Sequence, residues 1–78
     1  MIPIEEIKSA TVNLNNTILS TPLNITDTYS NKYSSYIYLK REDLQVTRSF
    51  KIRGSFNKIL SLSESEKQKG IVCSSAGN

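Results

Sequence analysis

The sequence contains no histidine, no tryptophan and only one cysteine, Cys73. A single cysteine cannot form a disulfide within the chain, and without histidine it leaves no set of side chains able to hold zinc. These absences exclude a disulfide framework and a zinc module. They favour a reducing compartment, so we expect a cytoplasmic protein without a metal site.

The sequence also lacks long apolar runs and blocks of one charge. No stretch approaches the roughly 20 apolar residues of a membrane span, and the N-terminal segment MIPIEEIKSA has acidic residues where a targeting peptide has basic ones. The net charge of +3 comes from basic residues spread among seven acidic ones. We therefore expect neither a membrane nor a nucleic acid as partner.

What is present is the composition of a globular protein, with 37% hydrophobic and 22% charged residues in a chain of 78. Folding a chain this short buries only about 60% of its surface, so one small domain is the upper limit. Within such a domain, the fold class depends on the order of the predicted helices and strands.

The N-terminal part predicts an amphipathic helix that begins at Pro3 and fades near Asn15. Two acidic residues lie in its first turn, where the helix dipole favours them, and apolar residues recur at helical spacing. Pro22 disfavours the helical region for Thr21, so an extended segment follows. The polar stretch 26–35 is predicted to be a short helix or a loop.

The second half predicts a strand, two helices and a further strand. Residues 36–41 are aromatic and apolar with a period of two, which is typical of a strand. From Ser49 the apolar period becomes helical, and this places Lys51 in a first helical turn. Ser63 and Glu66 form a capping box for a second short helix. Residues 71–73 are apolar without alternation, as in a strand covered on both faces.

Strand, helix and strand in this order predict an α/β fold with a βαβ unit and a parallel strand pair. Ligands of open α/β sheets bind outside the carboxyl ends of the strands, and both Lys51 and the loop 74–78 follow such ends. We therefore expect both on one ligand-binding edge. Simpler interpretations stay open, because a lysine in a first turn is usually a solvated charge and Ser-Ser-Ala-Gly-Asn is usually a turn.

Four segments together resemble one enzyme family. YLKREDLQ at 38–45, SFKIRG at 49–54 and SAGN at 75–78, preceded by TPL at 21–23, are similar to the threonine dehydratases. These are pyridoxal-phosphate enzymes of the tryptophan synthase β-like fold, also called fold type II. The biosynthetic dehydratases are the most similar, and the catabolic dehydratases and serine racemases are close alternatives. The resemblance implies the N-terminal part of such a catalytic domain.

The resemblance also implies a site and a reaction. Lys51 would attach pyridoxal 5′-phosphate and act as the base at the substrate Cα. Asn78 would hydrogen-bond the 3′ oxygen of the cofactor, and Phe50 would pack near its ring. Backbone N–H groups for the substrate carboxylate would come from Ser75, Ala76 and Gly77. The reaction would be β-elimination of L-threonine to 2-oxobutanoate and ammonia in isoleucine biosynthesis, with L-serine giving pyruvate, in a family that is typically homo-oligomeric.

Other polar and small residues receive supporting roles. The charged run from Lys40 to Asp43 is expected at a solvated strand end with no catalytic role. Arg53 is expected in an ion pair or a cap, and Gly54 at a close packing contact. Cys73 is expected as a small buried side chain in the second strand.

Large parts of the family's catalytic domain have no counterpart in these 78 residues. In the family, the glycine-rich loop for the cofactor phosphate and the residue that meets the pyridine nitrogen lie downstream. We therefore expect residues 1–78 to be an N-terminal fragment of that domain, with an exposed apolar patch and no meaningful activity alone.

Two other classes of function are less favoured alternatives. A small basic nucleic-acid-binding module would bind with a steep dependence on salt. Its candidate phosphate contacts are Lys40, Arg41, Arg48, Lys51, Arg53 and Lys58. A degenerate chain kept as an interaction piece would instead co-purify with a longer homologous subunit.

Overall fold

The computed structural model describes residues 1–76. In chain order the elements are α1 (Ile4–Leu14), β1 (Leu23–Ile25), α2 (Asp27–Tyr33), β2 (Tyr38–Lys40), a 3₁₀ helix (Glu42–Leu44), α3 (Lys51–Leu60) and α4 (Glu64–Gln68). The chain therefore mixes helices with one small sheet.

Helix α1 forms where the sequence predicts it and packs against α3. Pro3 occupies the N-cap position in an extended conformation, and the first turn carries two acidic residues. The buried apolar side chains of the described residues are Leu14, at the end of α1, and Ile52, near the start of α3, at 5% and 8% exposure. The α1–α3 contact is therefore the core of the described chain, and it fixes where α3 begins.

The sheet has two antiparallel strands, β1 and β2. Leu23 lies opposite Lys40 and Ile25 opposite Tyr38. The backbone N–H of Arg41 donates to the carbonyl of Pro22 at 3.0 Å, which extends the pairing by one step. Pro22 can occupy this position because it contributes a carbonyl and needs no N–H donor.

The predicted parallel pair is not formed within residues 1–76. Strand β2 pairs antiparallel with β1, and residues 71–76 form neither a helix nor a strand. The prediction required cover on both faces of 71–73, but Ile71 and Val72 are 59% and 98% exposed. Without neighbours to bury these side chains, nothing favours a strand there.

Helix α4 begins and ends as predicted. The Ser63 hydroxyl accepts the N–H of Glu66 at 3.2 Å, and the Glu66 carboxylate accepts the N–H of Ser63 at 2.9 Å. Gly70, just beyond the helix, has a φ of +85°, a left-handed conformation that favours glycine. The capping box and the glycine thus define this short helix from local sequence alone.

Two expectations about small residues are wrong for the described chain. A Cβ added at Gly54 would meet no atom within 4 Å, so this glycine permits no close packing here. Cys73 is exposed, because the strand that would have buried it is absent. None of the helices within residues 1–76 has the length and apolarity that crossing a membrane requires.

Candidate functional site

Lys51 lies in the first turn of α3, as predicted; it is the first residue of that helix, and its side chain is exposed. Phe50 occupies the N-cap position and is 66% exposed. The backbone N–H of Lys51 donates to the hydroxyl of Ser49 at 3.4 Å, a long hydrogen bond at the first turn of the helix. An amine and an aromatic ring therefore stand side by side at the start of α3.

Three consecutive residues of α3 point in different directions because each helical position turns by about 100°. Ile52 is buried in the core, and Arg53 forms an ion pair with Glu42. Lys51 takes the remaining direction, outward. Its ammonium group forms no ion pair with any residue in 1–76. Lys51 thus presents a primary amine that the described chain leaves open to a reactant.

Glu42 stands at the centre of a hydrogen-bond network beneath this helix. The Arg53 guanidinium donates to both of its oxygens, from Nε at 2.8 Å and from Nη2 at 2.7 Å. The Thr21 hydroxyl donates to Oε1 at 2.5 Å, and the Gln45 amide donates to Oε2 at 3.4 Å. The carboxylate therefore links the 3₁₀ helix, α3 and the segment before β1.

The Gln45 side chain is the most deeply buried polar group of the described chain, with 0% exposure. Its carbonyl accepts the backbone N–H of Leu19 at 3.0 Å, and its amide donates to the backbone carbonyl of Leu19 at 2.8 Å. Buried polar groups require such partners, and Gln45 has them. Close by, Lys40 Nζ donates a hydrogen bond to the backbone carbonyl of Thr21.

The Arg53 contact also changes the protonation of Glu42. Hydrogen bonds from Arg53 and then from Thr21 favour the ionised carboxylate and lower the pKa of Glu42 from 4.5 to about 2. The pKa of Asp43 is lowered as well, first by its hydrogen bond with Arg41. Both carboxylates are therefore charged near neutral pH, and the bond between Glu42 and Arg53 is a salt bridge.

The other predicted site residues are not gathered around Lys51. Ser75 and Ala76 lie in the exposed segment after Gly70, which forms neither a helix nor a strand. Gly77 and Asn78 lie outside the described residues. Because the second strand is absent within 1–76, the shared sheet edge that would join SAGN to SFKIRG is not formed there.

A cleft of about 430 Å³ lies between α1 and α3. Its walls are mostly apolar, and Gly54, Asn57 and Arg53 line it from α3. Asn57 Oδ1 is the buried side-chain atom of the described residues that has no hydrogen-bond partner. Lys51 is not among the residues of 1–76 that line the cleft, so the open amine and the cleft are separate features.

The described residues fit pyridoxal phosphate only in part. The primary amine of Lys51 is the group that condenses with an aldehyde, and the exposed ring of Phe50 beside it offers an apolar surface to a cofactor ring. Within residues 1–76, however, the Lys51 side chain is exposed and does not line the cleft between α1 and α3. Lys51 and Phe50 would therefore meet the cofactor from one side, and the remaining contacts would have to come from elsewhere.

Sequence reasoning missed the network on the other side of the helix. It assigned the run from Lys40 to Asp43 to a solvated strand end, whereas Glu42 has only 14% of its side chain exposed and Lys40 donates to a backbone carbonyl. The expectation for Arg53 is confirmed, since it forms an ion pair. The sequence held no signal for this network, because nothing in a charge pattern indicates that a polar residue such as Gln45 is buried.

The basic residues proposed as a phosphate-binding surface are partly neutralised within the chain. Arg41 pairs with Asp43 at 2.8 Å and Arg53 pairs with Glu42 at 2.7 Å. A third, Lys40, donates to a backbone carbonyl at 2.6 Å. Half of the six candidate cations are therefore engaged internally, which weakens the case for a nucleic-acid module.

Comparison with known proteins identifies what the chain is similar to. Residues 14–78 match the family described as pyridoxal-phosphate dependent enzyme. The L-threonine dehydratase biosynthetic IlvA of Bacillus subtilis (strain 168) is 46% identical over 78 residues, which is 100% of this chain and 18% of that protein. The protein of the same name from Staphylococcus epidermidis (strain RP62A) is 49% identical over 77 residues, 99% of this chain and 18% of that protein.

A third relative of the same name, from Lactococcus lactis subsp. lactis (strain IL1403), is 46% identical over 78 residues, covering 100% of this chain and 19% of that protein. No solved structure gives a significant match. The chain thus spans about a fifth of the length of these curated relatives. The family match covers residues 14–78 and includes Lys51, and the chain therefore belongs to the pyridoxal-phosphate dependent enzyme family.

Proposed function

We propose that this chain supplies the cofactor-attaching lysine of a biosynthetic threonine dehydratase. The observation that carries the proposal is the identity of 46–49% along essentially the whole chain with proteins of that name. The open amine of Lys51 at the start of α3 supports it. The reaction is the conversion of L-threonine to 2-oxobutanoate and ammonia in isoleucine biosynthesis, and L-serine gives pyruvate by the same route.

Lysine is the residue that this role requires. Its amine can hold a carbonyl compound covalently, and after release it can take the proton from the substrate Cα, which arginine cannot do. The cofactor supplies the electron sink for this chemistry when it is bound. In the same proposal Phe50 packs beside the cofactor ring, Asn78 hydrogen-bonds its 3′ oxygen, and the substrate carboxylate meets the backbone of residues 75–77.

We further propose that residues 1–78 act as part of a larger catalytic domain and have no meaningful activity alone. The radius of gyration is 16.3 Å, whereas a compact domain of this length has about 11–12 Å. In the larger domain, neighbouring elements would cover Ile71 and Val72 and allow the parallel strand at 71–73. The single cysteine fits a cytoplasmic location.

A chimera tests the proposal directly. This chain would replace the matching segment of the Bacillus subtilis relative, to which it is 46% identical. We expect the chimera to form 2-oxobutanoate from L-threonine, and we expect Lys51→Arg to reduce that rate by orders of magnitude with loss of the cofactor absorbance.

The matched control is Lys58→Arg, in the same helix α3, which should leave the rate within about twofold. If Lys51→Arg retains the rate of the unmodified chimera, the assignment of Lys51 is wrong. The isolated chain, mixed with pyridoxal phosphate and L-threonine, should form no oxobutanoate above the rate of the free cofactor. An enzyme-like rate from the isolated chain would contradict the proposal that it is inactive alone.

A further inference from the structure

The segment that carries Lys51 is held at both of its ends by one carboxylate. Gln45 precedes the segment 46–52 and Arg53 follows it, and both side chains donate to Glu42. The two ends are unequal, because the contact with Gln45 is 3.4 Å and the two contacts with Arg53 are 2.7–2.8 Å. Glu42 therefore binds the helical end firmly and the loop end through a buried amide that is itself fixed to Leu19.

The backbone between these ends needs such support. Arg48 has a φ of +63°, a left-handed conformation that costs free energy for any residue with a Cβ. Its N–H donates to the carbonyl of Gln45 at 2.8 Å. A strained residue of this kind persists only where the surrounding structure determines it, and here its support comes from the buried Gln45.

The contact of Arg53 with Glu42 on the inner side of α3 also fixes the direction in which Lys51 projects on the outer side. Arg53 is two positions after Lys51, so the two side chains leave the helix about 200° apart. When the Arg53 fork is fixed on Glu42, the first turn of α3 cannot rotate about its axis or unwind without breaking two charge-assisted hydrogen bonds. The direction in which Lys51 projects is therefore set on the opposite side of the helix.

From these contacts we infer that Glu42 is the positioning residue for Lys51. Among the described residues it forms its ion pair with Arg53 and none with the Lys51 amine, and it acts by holding Arg53 and Gln45. The inference rests on the proposed role of Lys51 in cofactor attachment, but the holding of segment 46–52 is a property of this chain that can be measured separately.

The first test uses the complete 78-residue chain, incubated with pyridoxal phosphate, reduced with borohydride and mapped by peptide mass. Lys51 lies at the start of α3, where aligned backbone N–H groups attract an anionic reagent, and Lys58 lies near its end, where the dipole disfavours one. We expect Lys51 to carry about two- to five-fold more pyridoxyl group than Lys58. Glu42→Gln should lower this ratio to about one, because the first turn is no longer held.

The matched control is Asp43→Asn, which also removes one negative charge, at the residue next to Glu42. Asp43 forms an exposed ion pair with Arg41, so this substitution should keep the ratio of the unmodified chain. Arg53→Lys retains the charge but loses the planar fork, and it should lower the ratio as Glu42→Gln does. This variant keeps the test decisive if Glu42→Gln fails to fold. Where the unmodified chain prefers Lys51, a ratio that stays unchanged in Glu42→Gln or Arg53→Lys overturns the inference.

The second test is amide hydrogen exchange and needs no cofactor. In Glu42→Gln, we expect the amides of Arg48 and Arg53 to exchange about tenfold faster or more, because a hydrogen bond to a charged group has been lost. The amide of Lys67 in α4, which donates to the carbonyl of Ser63, should be accelerated much less, because it lies outside the segment that Glu42 holds. An equal acceleration of all three amides would show a loss of stability that is not concentrated in this segment, and it would contradict a positioning role.

The two tests separate the inference from the proposal beneath it. If the unmodified chain labels Lys51 no more than Lys58, the preference expected at the start of α3 is absent, and the exchange of Arg48 and Arg53 alone decides the role of Glu42. The proposed cofactor attachment is then tested in the chimera. If Lys51 is preferred in the chain and in Glu42→Gln alike, the proposal survives and the inference fails.

Discussion

The Glu42 carboxylate shows that a residue expected in a solvated charged run can hold several elements of a structure together. It accepts hydrogen bonds from an arginine fork, a hydroxyl and an amide, and these partners come from three different parts of the chain. Bidentate pairs of arginine and carboxylate are stronger and more directional than ordinary surface pairs. At the scale of single residues, the ion pair between Glu42 and Arg53 is therefore as important to the candidate site as Lys51, which projects from the opposite side of α3.

The pKa of Glu42 leads to a prediction for stability against pH. Because folding lowers this pKa from 4.5 to about 2, the folded chain binds fewer protons than the unfolded chain between these values. The stabilisation from Glu42 is complete above about pH 5 and is lost as the pH falls towards 2. Thermal unfolding at several pH values should therefore show Glu42→Gln well below the unmodified chain at pH 6 and close to it near pH 2.

Asp43→Asn serves as the control, because the pKa of Asp43 is also lowered but its pair with Arg41 is exposed. Its effect on the midpoint of unfolding should be smaller than that of Glu42→Gln at pH 6. An equal effect of the two substitutions, or a Glu42→Gln effect that does not change with pH, would contradict the assignment of the low pKa.

At the scale of elements, local signals were sufficient for most of the structure. The start of α1 at Pro3, the capping box at Ser63 and the helical period after Ser49 each specify an element through contacts within a few residues. Residues 71–73 could not be predicted in the same way, because an apolar run without alternation becomes a strand only where other elements cover it. The network of Glu42 was equally inaccessible, since its partners lie up to 21 residues from Glu42 in sequence.

Replacing each of two glycines by alanine should change the stability of the chain in opposite directions. Gly54 lies inside α3, where a Cβ would meet no atom, so Gly54→Ala should stabilise the chain by about 0.5–1 kcal/mol. Gly70 has a φ of +85°, so Gly70→Ala should destabilise it by about 1 kcal/mol or more. Chemical denaturation of both variants measures the two changes. Destabilisation by Gly54→Ala would show that the space beside α3 is filled.

At the scale of the whole molecule, apolar surface is the dominant feature. Only Leu14 and Ile52 among the apolar side chains of the described residues are buried, while large side chains such as Val72, Tyr36 and Val46 are more than three-quarters exposed. Soluble monomers seldom expose so large an apolar surface without a partner to cover it. This packing agrees with a chain that spans about a fifth of its relatives' length.

The central claim is that Lys51 attaches the cofactor, and the most direct measurement is peptide mapping of the chimera after reduction with borohydride. The reduction fixes pyridoxal phosphate to the lysine that holds it, and mass spectrometry identifies that lysine. We predict one pyridoxyl group per chain, on the peptide that contains Lys51. A pyridoxyl group on Lys58 or on any other lysine, with Lys51 unmodified, would contradict the account.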